Sequence, residues 1–587
     1  MIHFSVLSQQ ELASIPPRGW NSYDSFSWTI SEQEFMQSAE IISQRLKPFG
    51  YEYVVVDYLW YRRKVPGADP TAHGFDVIDE WGRVIPDPVR WPSSKGGVGF
   101  TEVANKLHSM GLKLGIHVMR GISWQAYDAN TPILDTSTGG PFTAAGKEWH
   151  AQDIGIKERS CGWMQQGFMS VDANLEAGRA FLRSLYEQYA QWGVDFIKND
   201  CVFGADLEKD QITFVSDILQ SLQRPILYSL SPGTSVTPTM SKDVAGLTNM
   251  YRVTADDWDT WGDVAAHFDV ARDYAAANMI GAQGLKGKSW PDLDMLPLGW
   301  LTDPASNQGP HRPSKLTIEE AKTQITLWAI AKSPLMFGGD VRNLDNATYS
   351  LITNPTVLEI NSFSSNNAEL PTGGATKASV QQSTRYLQKH SLGLTSCNDP
   401  NTKGWSIEAL GQNHQQICWK ENLGTRKPFC VYSRKHLLAP SDEQLVYGQG
   451  KLHLSAIDGM NVCLDASPKR KLTSKETRSS FFSPCRKHAH QMWELNGDGA
   501  LISNYSGLCA VVNKAEGETY IAYFNLNSEQ TTVADMVKTV PGGLNLSNNS
   551  SCKYREVWSG REGVSNETIP SMTVPGHGCA LFVMNCA

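Results

Sequence analysis

The chain has 587 residues, 41% of them hydrophobic and 19% charged, with a formal net charge of -8. That supplies ample apolar material for a large core and, at roughly 100–200 residues per domain, suggests two to four domains. No basic field exists to hold a polyanion, the densest cationic stretch being SPKRKLTSK around Lys469 to Lys471, and nothing approaches the ~18 consecutive apolar residues of a membrane span, so neither nucleic acid nor a membrane is an expected partner.

Residues 1–15 read as an N-terminal extension without the basic n-region or apolar h-region of a signal peptide. From Pro16 to Ser362, short apolar runs alternate with helix-capable segments. The runs are RGWNSY, YEYVVVDYLW, LKLGIHVM, VDFIKND, RPILYSLS, MYRVTADD, NMIGAQG and SPLMFGGD. Between the first two, Ser31-Glu-Gln-Glu34 is a capping box that predicts a helix running towards Leu46. Before VDFIKND, the segment Leu175 to Trp192 puts Phe181, Leu185, Tyr189 and Trp192 on one helical face. Eight strand-like runs separated by helical patterns predict an α/β fold, a (β/α)8 barrel over 16–362. A doubly wound open sheet competes, but no Gly-rich phosphate loop follows the first run.

Residues 363–391, rich in Ser, Asn, Thr and Gly, read as a linker leading into the first strands of a C-terminal β domain. Residues 392–513 are Cys-rich with short strands and many turns, and two of their parts look alike: SCNDPNTKGWSI…QQICW and NVCLDASPKRK…FSPC…HQMWELNGDGALIS. Residues 514–587 alternate like antiparallel strands. Nine of the eleven cysteines lie from Cys397 onward, and N-glycosylation sequons occur at Asn346, Asn504, Asn545, Asn548, Asn549 and Asn566. Together these favour a glycoprotein of the secretory pathway, extracellular, cell-wall or vacuolar, whose leader is expected to be missing from this sequence.

Barrel geometry singles out the polar residues at the C-terminal ends of the runs, where active sites of this fold lie. They are Asp57, His117, Lys198, Asp200, Arg252, Asp256, Asp292 and Asp294. Lys198 and Asp200 are two apart, so on an extended chain they share a face. A lone K-x-D is adequately explained as a salt bridge capping a strand. Five carboxylates facing three potential cations on one rim are harder to explain that way. There is no His pair at ligand spacing and no Asp-rich cation loop, so neither a metal nor any other cofactor is expected.

The motifs PPRGWNSYDSF, VVVDYLW, DFIKNDC, YRVTADDWDTW, SWPDLDML and SPLMFGGDVRNL, in this order, resemble the α-galactosidases (melibiases) of glycoside hydrolase family 27. Among these the chain looks most like the plant melibiase-like branch, which includes enzymes active on β-L-arabinopyranosides as well as α-galactosides. The resemblance implies a retaining exo-glycosidase acting on carbohydrate with terminal galactose or L-arabinopyranose. Asp200 matches the nucleophile and Asp256, four residues after Arg252, the general acid/base; from the sequence alone Asp257 and Asp259 are rivals for the second role. One carboxylate attacks the anomeric carbon while the other, protonated, donates to the leaving oxygen. Lys198 would keep Asp200 ionised. Burial beside Trp258 and the charge of Asp200 would hold Asp256 protonated at rest. Asp57, Arg252 and Asp294 match sugar contacts, and Trp20 and Trp60 fit a family habit of walling the site with aromatics, although core positions suit them equally. A Cys161–Cys201 disulfide is also implied.

Departures from the family pattern fall at the site. Tyr58 stands in place of the second of two paired aspartates that grip O4 and O6 of galactose, His117 in place of a tyrosine, Tyr23 in place of a tryptophan, and Ser231-Pro232 in place of a Cys-Glu pair. β-L-arabinopyranose shares the ring configuration of α-D-galactose but lacks the C6 hydroxymethyl group, so Tyr58 implies unusual tolerance for it. The Cys-rich segment resembles ricin-B-type β-trefoil repeats, with Gln491 and Trp493 matching a Q-x-W signature, Trp493 expected in the core, Cys463–Cys485 as a bridge, and a second glycan site implied. Competing expectations are an α-N-acetylgalactosaminidase and a catalytically inactive glycan-binding protein.

Overall fold

A computed structural model of the chain describes residues 12–364 without a break, then 368–369, 380–387, 391–398, 402–409, 415–419, 429–433, 451–455, 462–465, 481–484, 491–503, 507–513, 518–533, 551–566 and 571–586. Eight parallel strands make the barrel: β1 (Arg18–Asn21), β2 (Tyr53–Val56), β3 (Lys113–Met119), β4 (Phe196–Phe203), β5 (Leu227–Pro232), β6 (Met250–Arg252), β7 (Gly287–Asp292) and β8 (Leu335–Phe337). From β1 to β7 each pairs with its neighbour in chain order, and β8 pairs with β1. The seam between β7 and β8 is closed by Leu296, which bridges Phe337, donates to Met336 O at 2.8 Å and accepts from Gly338 N at 3.0 Å.

Helices α1 (Glu32–Ile41), α2 (Thr101–Ser109), α3 (Glu176–Gln191), α4 (Lys209–Ser221), α5 (Pro238–Ala245), α6 (Trp261–Ala276), α7 (Ile318–Ala331) and α8 (Pro355–Phe363) follow the eight strands in turn. The Ser31–Glu34 capping box is formed, and the helix runs on through a π-turn over Ile42–Leu46. In α3 and its C-cap, Phe181, Leu185, Tyr189 and Trp192 are all buried, as their spacing predicts.

The seventh strand corrects the sequence reading. NMIGAQG contributes only Ala282–Gly284, which turns back through Leu285–Lys286 and pairs antiparallel with the start of β7. Lys286 sits at φ +50, and Gly284 faces Gly287 across this two-residue turn. Only the returning arm, GKSWPD, runs parallel to β6, with Met250 opposite Trp290.

The barrel lumen is layered. Its floor is an apolar cluster of Tyr53, Val55, Phe196, Leu227, Met250, Met295 and Met336. Gly115 on β3 lets that floor close, because a Cβ there would lie 2.6 Å from Val55 Cγ2. Side chains two apart on a strand share a face, so the floor residues have polar successors above them: Asp57 over Val55, Lys198 and Asp200 over Phe196, and Arg252 over Met250. The intervening Asn199 faces the other way and accepts from the Tyr186 and Tyr228 hydroxyls at 3.2 and 2.9 Å.

The C-terminal domain is a sandwich. A six-stranded sheet orders Ala368–Glu369, Val380–Leu387, Glu518–Asn525, Cys579–Cys586, Ser551–Glu556 and Glu562–Asn566, and a second ladder pairs Thr531–Val533 with Met572–Val574. Ile521, Tyr523 and Phe582 pack with Val533 and Val574 between the two sheets. On the other face, Tyr520, Ala522, Phe524 and Leu581 join the barrel core. Phe524 meets Phe268 of α6 edge-on, His577 stacks on Trp261 with ring centroids 4.1 Å apart, and Thr323 of α7 donates to His577 O at 2.7 Å.

The Cys-rich segment enters after Leu387 and leaves before Glu518, and these two residues are paired in the ladder. Its described residues form a ten-stranded antiparallel arrangement around Trp405, Ile417, Leu464, Trp493, Leu501 and Ala510. Trp493 is wholly buried and donates to Leu464 O at 3.0 Å, the core placement expected of it. A Cys397–Cys509 disulfide ties the two ends of the segment together. Cys485, the sequons at Asn504, Asn545, Asn548 and Asn549, and Lys469–Lys471 lie outside the described residues.

Candidate active site

Asp200, near the top of β4, is buried and receives two hydrogen bonds: from His117 on the adjoining β3 (Nε2 to Oδ2, 2.8 Å) and from its neighbour's amide, Cys201 N (2.5 Å to Oδ1). Burial opposes ionisation of Asp200. The His117 bond, together with the charges of His117, Lys198 and Arg252, outweighs it and holds the carboxyl well below the usual carboxylate range. The second ring nitrogen of His117, Nδ1, is buried with no hydrogen-bond partner among the described residues.

Asp57 lies beside this pair at the end of β2, accepting from Asn21 Nδ2 at 2.7 Å, Lys198 Nζ at 3.1 Å and Tyr58 N at 2.9 Å. Burial disfavours its charge, but the Lys198 ammonium, His117 and these bonds leave it ionised below its ordinary value. Lys198 is likewise penalised by burial, yet Asp57, Asp294 and Asp200 hold it charged above the usual ammonium range. The sequence reading assigned Lys198 to Asp200. In the structure its direct partner is Asp57, and it reaches Asp200 through its field.

Arg252 crosses the far side of the rim. Its Nη1 meets Asp294 Oδ2 at 3.3 Å and its Nη2 meets Asp256 Oδ1 at 2.6 Å, while Nε donates to Pro232 O and Thr254 O. Asp294, Asp256 and Asp200 together overcome burial and hold the guanidinium charged, which places both Asp256 and Asp200 within its electrostatic reach. The side chain of Asp256 is 55% exposed. It is therefore not buried beside Trp258 as the sequence reading expected, because the loop after β6 lifts it to the mouth. The rival carboxylates are committed elsewhere: Asp259 is clamped by Arg312 at 2.5 and 3.1 Å, and Asp257 is buried beneath the loop, accepting from Gln324 Nε2 at 2.6 Å.

Three further carboxyls explain how one rim tolerates so many acids. Burial and then the charge of Asp294 push Asp292 up to about 7, and the same two influences raise Asp24 and Asp257 well above the carboxylate range. Asp292 accepts from Asp294 N at 3.0 Å. Asp24 Oδ2 is buried under Gly338, where a Cβ would lie 1.8 Å away, and has no hydrogen-bond partner among the described residues. The rim thus combines acids and bases held in their charged forms, Asp57, Asp200, Lys198 and Arg252, with three carboxyls whose charged forms burial and Asp294 disfavour.

An aromatic wall covers the β2 side. Tyr58 is buried, its ring centroid 5.4 Å from Tyr23, 6.0 Å from His117 and 6.3 Å from Trp163, and Tyr23 also meets Trp258 at 5.7 Å. Trp163 is 44% exposed and follows Cys161, whose disulfide to Cys201 anchors the loop after β3 to the residue next to Asp200. Trp20 corrects another expectation: it is wholly buried, donates to Gly339 O at 2.8 Å and packs on Phe26 and Phe35, so it belongs to the core. Trp60 is equally buried, bonded to His117 O at 2.7 Å. Asn21, Asp24 and Trp163 were missed from the sequence. The first two lie inside the quoted PPRGWNSYDSF motif, at the end of β1 and in the turn after it, and Trp163 stands two residues from a disulfide cysteine.

The family model described as alpha galactosidase A matches residues 21–130 and 180–363, and the model for the alpha galactosidase C-terminal beta sandwich domain matches 511–584. An alpha-galactosidase of Cyamopsis tetragonoloba is 26% identical over 364 residues, covering 61% of this chain and 68% of the relative. Among solved structures, a GH27 β-L-arabinopyranosidase from Geobacillus stearothermophilus in complex with arabinose is 26% identical with a TM-score of 0.65, covering 98% of both chains. Alpha-galactosidase I from Mortierella vinacea shares the fold at 16% identity and a TM-score of 0.52, again covering 98% of each chain.

Proposed function

Since the chain belongs to glycoside hydrolase family 27, the alpha galactosidase A family, and is an O-glycosyl hydrolase acting on carbohydrate, we propose that it releases terminal β-L-arabinopyranosyl and α-D-galactosyl residues by double displacement. Asp200 is the nucleophile and Asp256 the general acid/base. The observation that carries this reading is the contrast between two carboxylates in the field of one arginine. Asp200 is buried and held ionised by His117, as an attacking group must be, whereas Asp256 is exposed at the mouth, where a leaving oxygen departs and water enters. Asp57, Lys198, Arg252 and Asp294 supply acceptors and donors for ring hydroxyls.

Tyr58 sets the choice of sugar. Its buried ring, hemmed in by Tyr23, His117 and Trp163, stands where a second carboxylate would grip a hydroxymethyl group, so a pentopyranose is the better fit. The name of the Geobacillus relative supports the same choice. In addition, the Cys161–Cys201 and Cys397–Cys509 disulfides and the exposed Asn346 sequon support a secreted glycoprotein, testable by the gel shift that endoglycosidase treatment produces.

The test of function is turnover of p-nitrophenyl β-L-arabinopyranoside and p-nitrophenyl α-D-galactopyranoside, with the first-formed anomer read by NMR. Retained configuration on both substrates, lost in Asp200→Asn, is the expected result. An inverted product, or an Asp200→Asn variant as active as wild type, rejects the assignment.

A further inference from the structure

The match to the family model breaks over 131–179, and part of this stretch lines a cavity beside the end of β3. The strands Gly155–Ser160 and Phe168–Val171 form a small sheet with Ile122–Ser123, just beyond the end of β3. Against it lies a groove of about 580 Å³, whose lining includes His73 from the long loop after β2 and Trp124, Lys157, Glu158, Gln165 and Gln166. Loops that follow β2 and β3 rise from the same end of the barrel as Asp57, His117 and Asp200.

The lining is chemically specific. Trp124 presents an indole whose N–H is already bonded to Ser160 Oγ at 3.2 Å. The Lys157 ammonium lies 5.5 Å from the Trp124 ring centroid and 4.5 Å from that of Tyr127, and no carboxylate among the described residues pairs with it. His73 and Asp128 lie 3.0 Å apart and Glu158 shares the lining with Lys157, so the groove carries no net positive charge. The exposed amides of Gln165 and Gln166 complete a surface that offers one indole, amides and no cationic excess. Such a surface suits an uncharged, hydroxyl-rich ligand and gives an anion no advantage. Continuity with the catalytic site comes through one short segment: Gly162 lines the groove, and the next residue, Trp163, faces Tyr58 in the site.

We propose that this groove binds the leaving-group portion of an oligosaccharide, the neutral sugars that precede the terminal residue. The assignment rests on the glycosidase reading above and extends it to the part of the substrate that is not cleaved off as a monosaccharide. Binding energy from those remote sugars would then favour long substrates over aryl glycosides.

Kinetics on a short and a long substrate with the same terminal sugar test this, for example p-nitrophenyl α-D-galactopyranoside against the tetrasaccharide stachyose, with the arabinopyranosyl equivalents in parallel. Trp124→Ala and the double variant Gln165→Ala/Gln166→Ala should lower kcat/KM on the tetrasaccharide by about 10-fold, chiefly through KM, and change the aryl glycoside by less than about 2-fold. The exposed glutamine pair serves if Trp124→Ala fails to fold. Equal effects on both substrates, or none on either, overturn the groove while leaving the glycosidase reading intact. Absence of wild-type turnover on the aryl glycosides overturns both, and is read separately from the variants.

Discussion

Arg252 holds Asp256 with one guanidinium nitrogen, at 2.6 Å, and Asp294 with the other, at 3.3 Å. An exposed acid and a buried one are thereby fixed to the same planar group, and lysine, a point charge, cannot replace this fork. Arg252→Lys is expected to lower kcat/KM by about 10²-fold or more, with thermal stability checked alongside by melting.

Exposure of Asp256 makes its contribution depend on the leaving group. Asp256→Ala should cost about 10²–10⁴-fold on alkyl glycosides, whose alkoxide needs a proton, and far less on p-nitrophenyl glycosides, whose phenolate does not. A steep Brønsted plot of log kcat/KM against leaving-group pKa in the variant is the expected readout, and equal losses on all leaving groups would speak against an acid role.

His117 contributes to keeping Asp200 ionised. Removing it in His117→Phe should raise the pKa of Asp200, the proposed nucleophile, so the acid limb of the pH–kcat/KM profile should move to higher pH by about 1–3 units. An unmoved limb combined with a lower kcat would mean that His117 acts on position alone.

Tyr58→Asp should shift the ratio of kcat/KM values towards galactoside by about 10–200-fold, the range available to one small group in a pocket. The ratio, not the absolute rate, is the diagnostic, because the two sugars share a ring configuration and differ in the C6 hydroxymethyl group.

Asp292 offers a stability test. Its folded-state pKa is raised from 3.8 to about 7, so the folded protein binds the extra proton and stability is lost as pH climbs from about 4 to about 7. The full shift corresponds to about 4 kcal/mol. Asp292→Asn, which keeps an acceptor for Asp294 N, should therefore gain in melting temperature over wild type as pH rises from 5 to 8, with little difference near pH 4.

Much of this was readable before any coordinates. A strand repeats every two residues, so the shared face of Lys198 and Asp200 follows from VDFIKND directly. The capping box at Ser31 and the buried stripe of α3 were visible for the same local reason. Failures came where tertiary geometry decides. NMIGAQG has strand-like composition but is only the outward arm of a hairpin. Trp20 reads as a binding aromatic, yet its neighbours enclose it. The exposure of Asp256 depends on a loop path that no periodicity encodes. Trp163 becomes informative only once the disulfide brings it beside Tyr58.

Val380–Leu387 and Glu518–Asn525 are hydrogen-bonded along their whole length, and the chain departs for the Cys-rich segment only at the end of that ladder. The sandwich therefore owes none of its pairing to what hangs from that point. A short reverse turn spliced between the two strands would leave the hydrolase and its supporting sheet complete, and the same junction would accept a foreign module in its place. The protein carries, in effect, a socket.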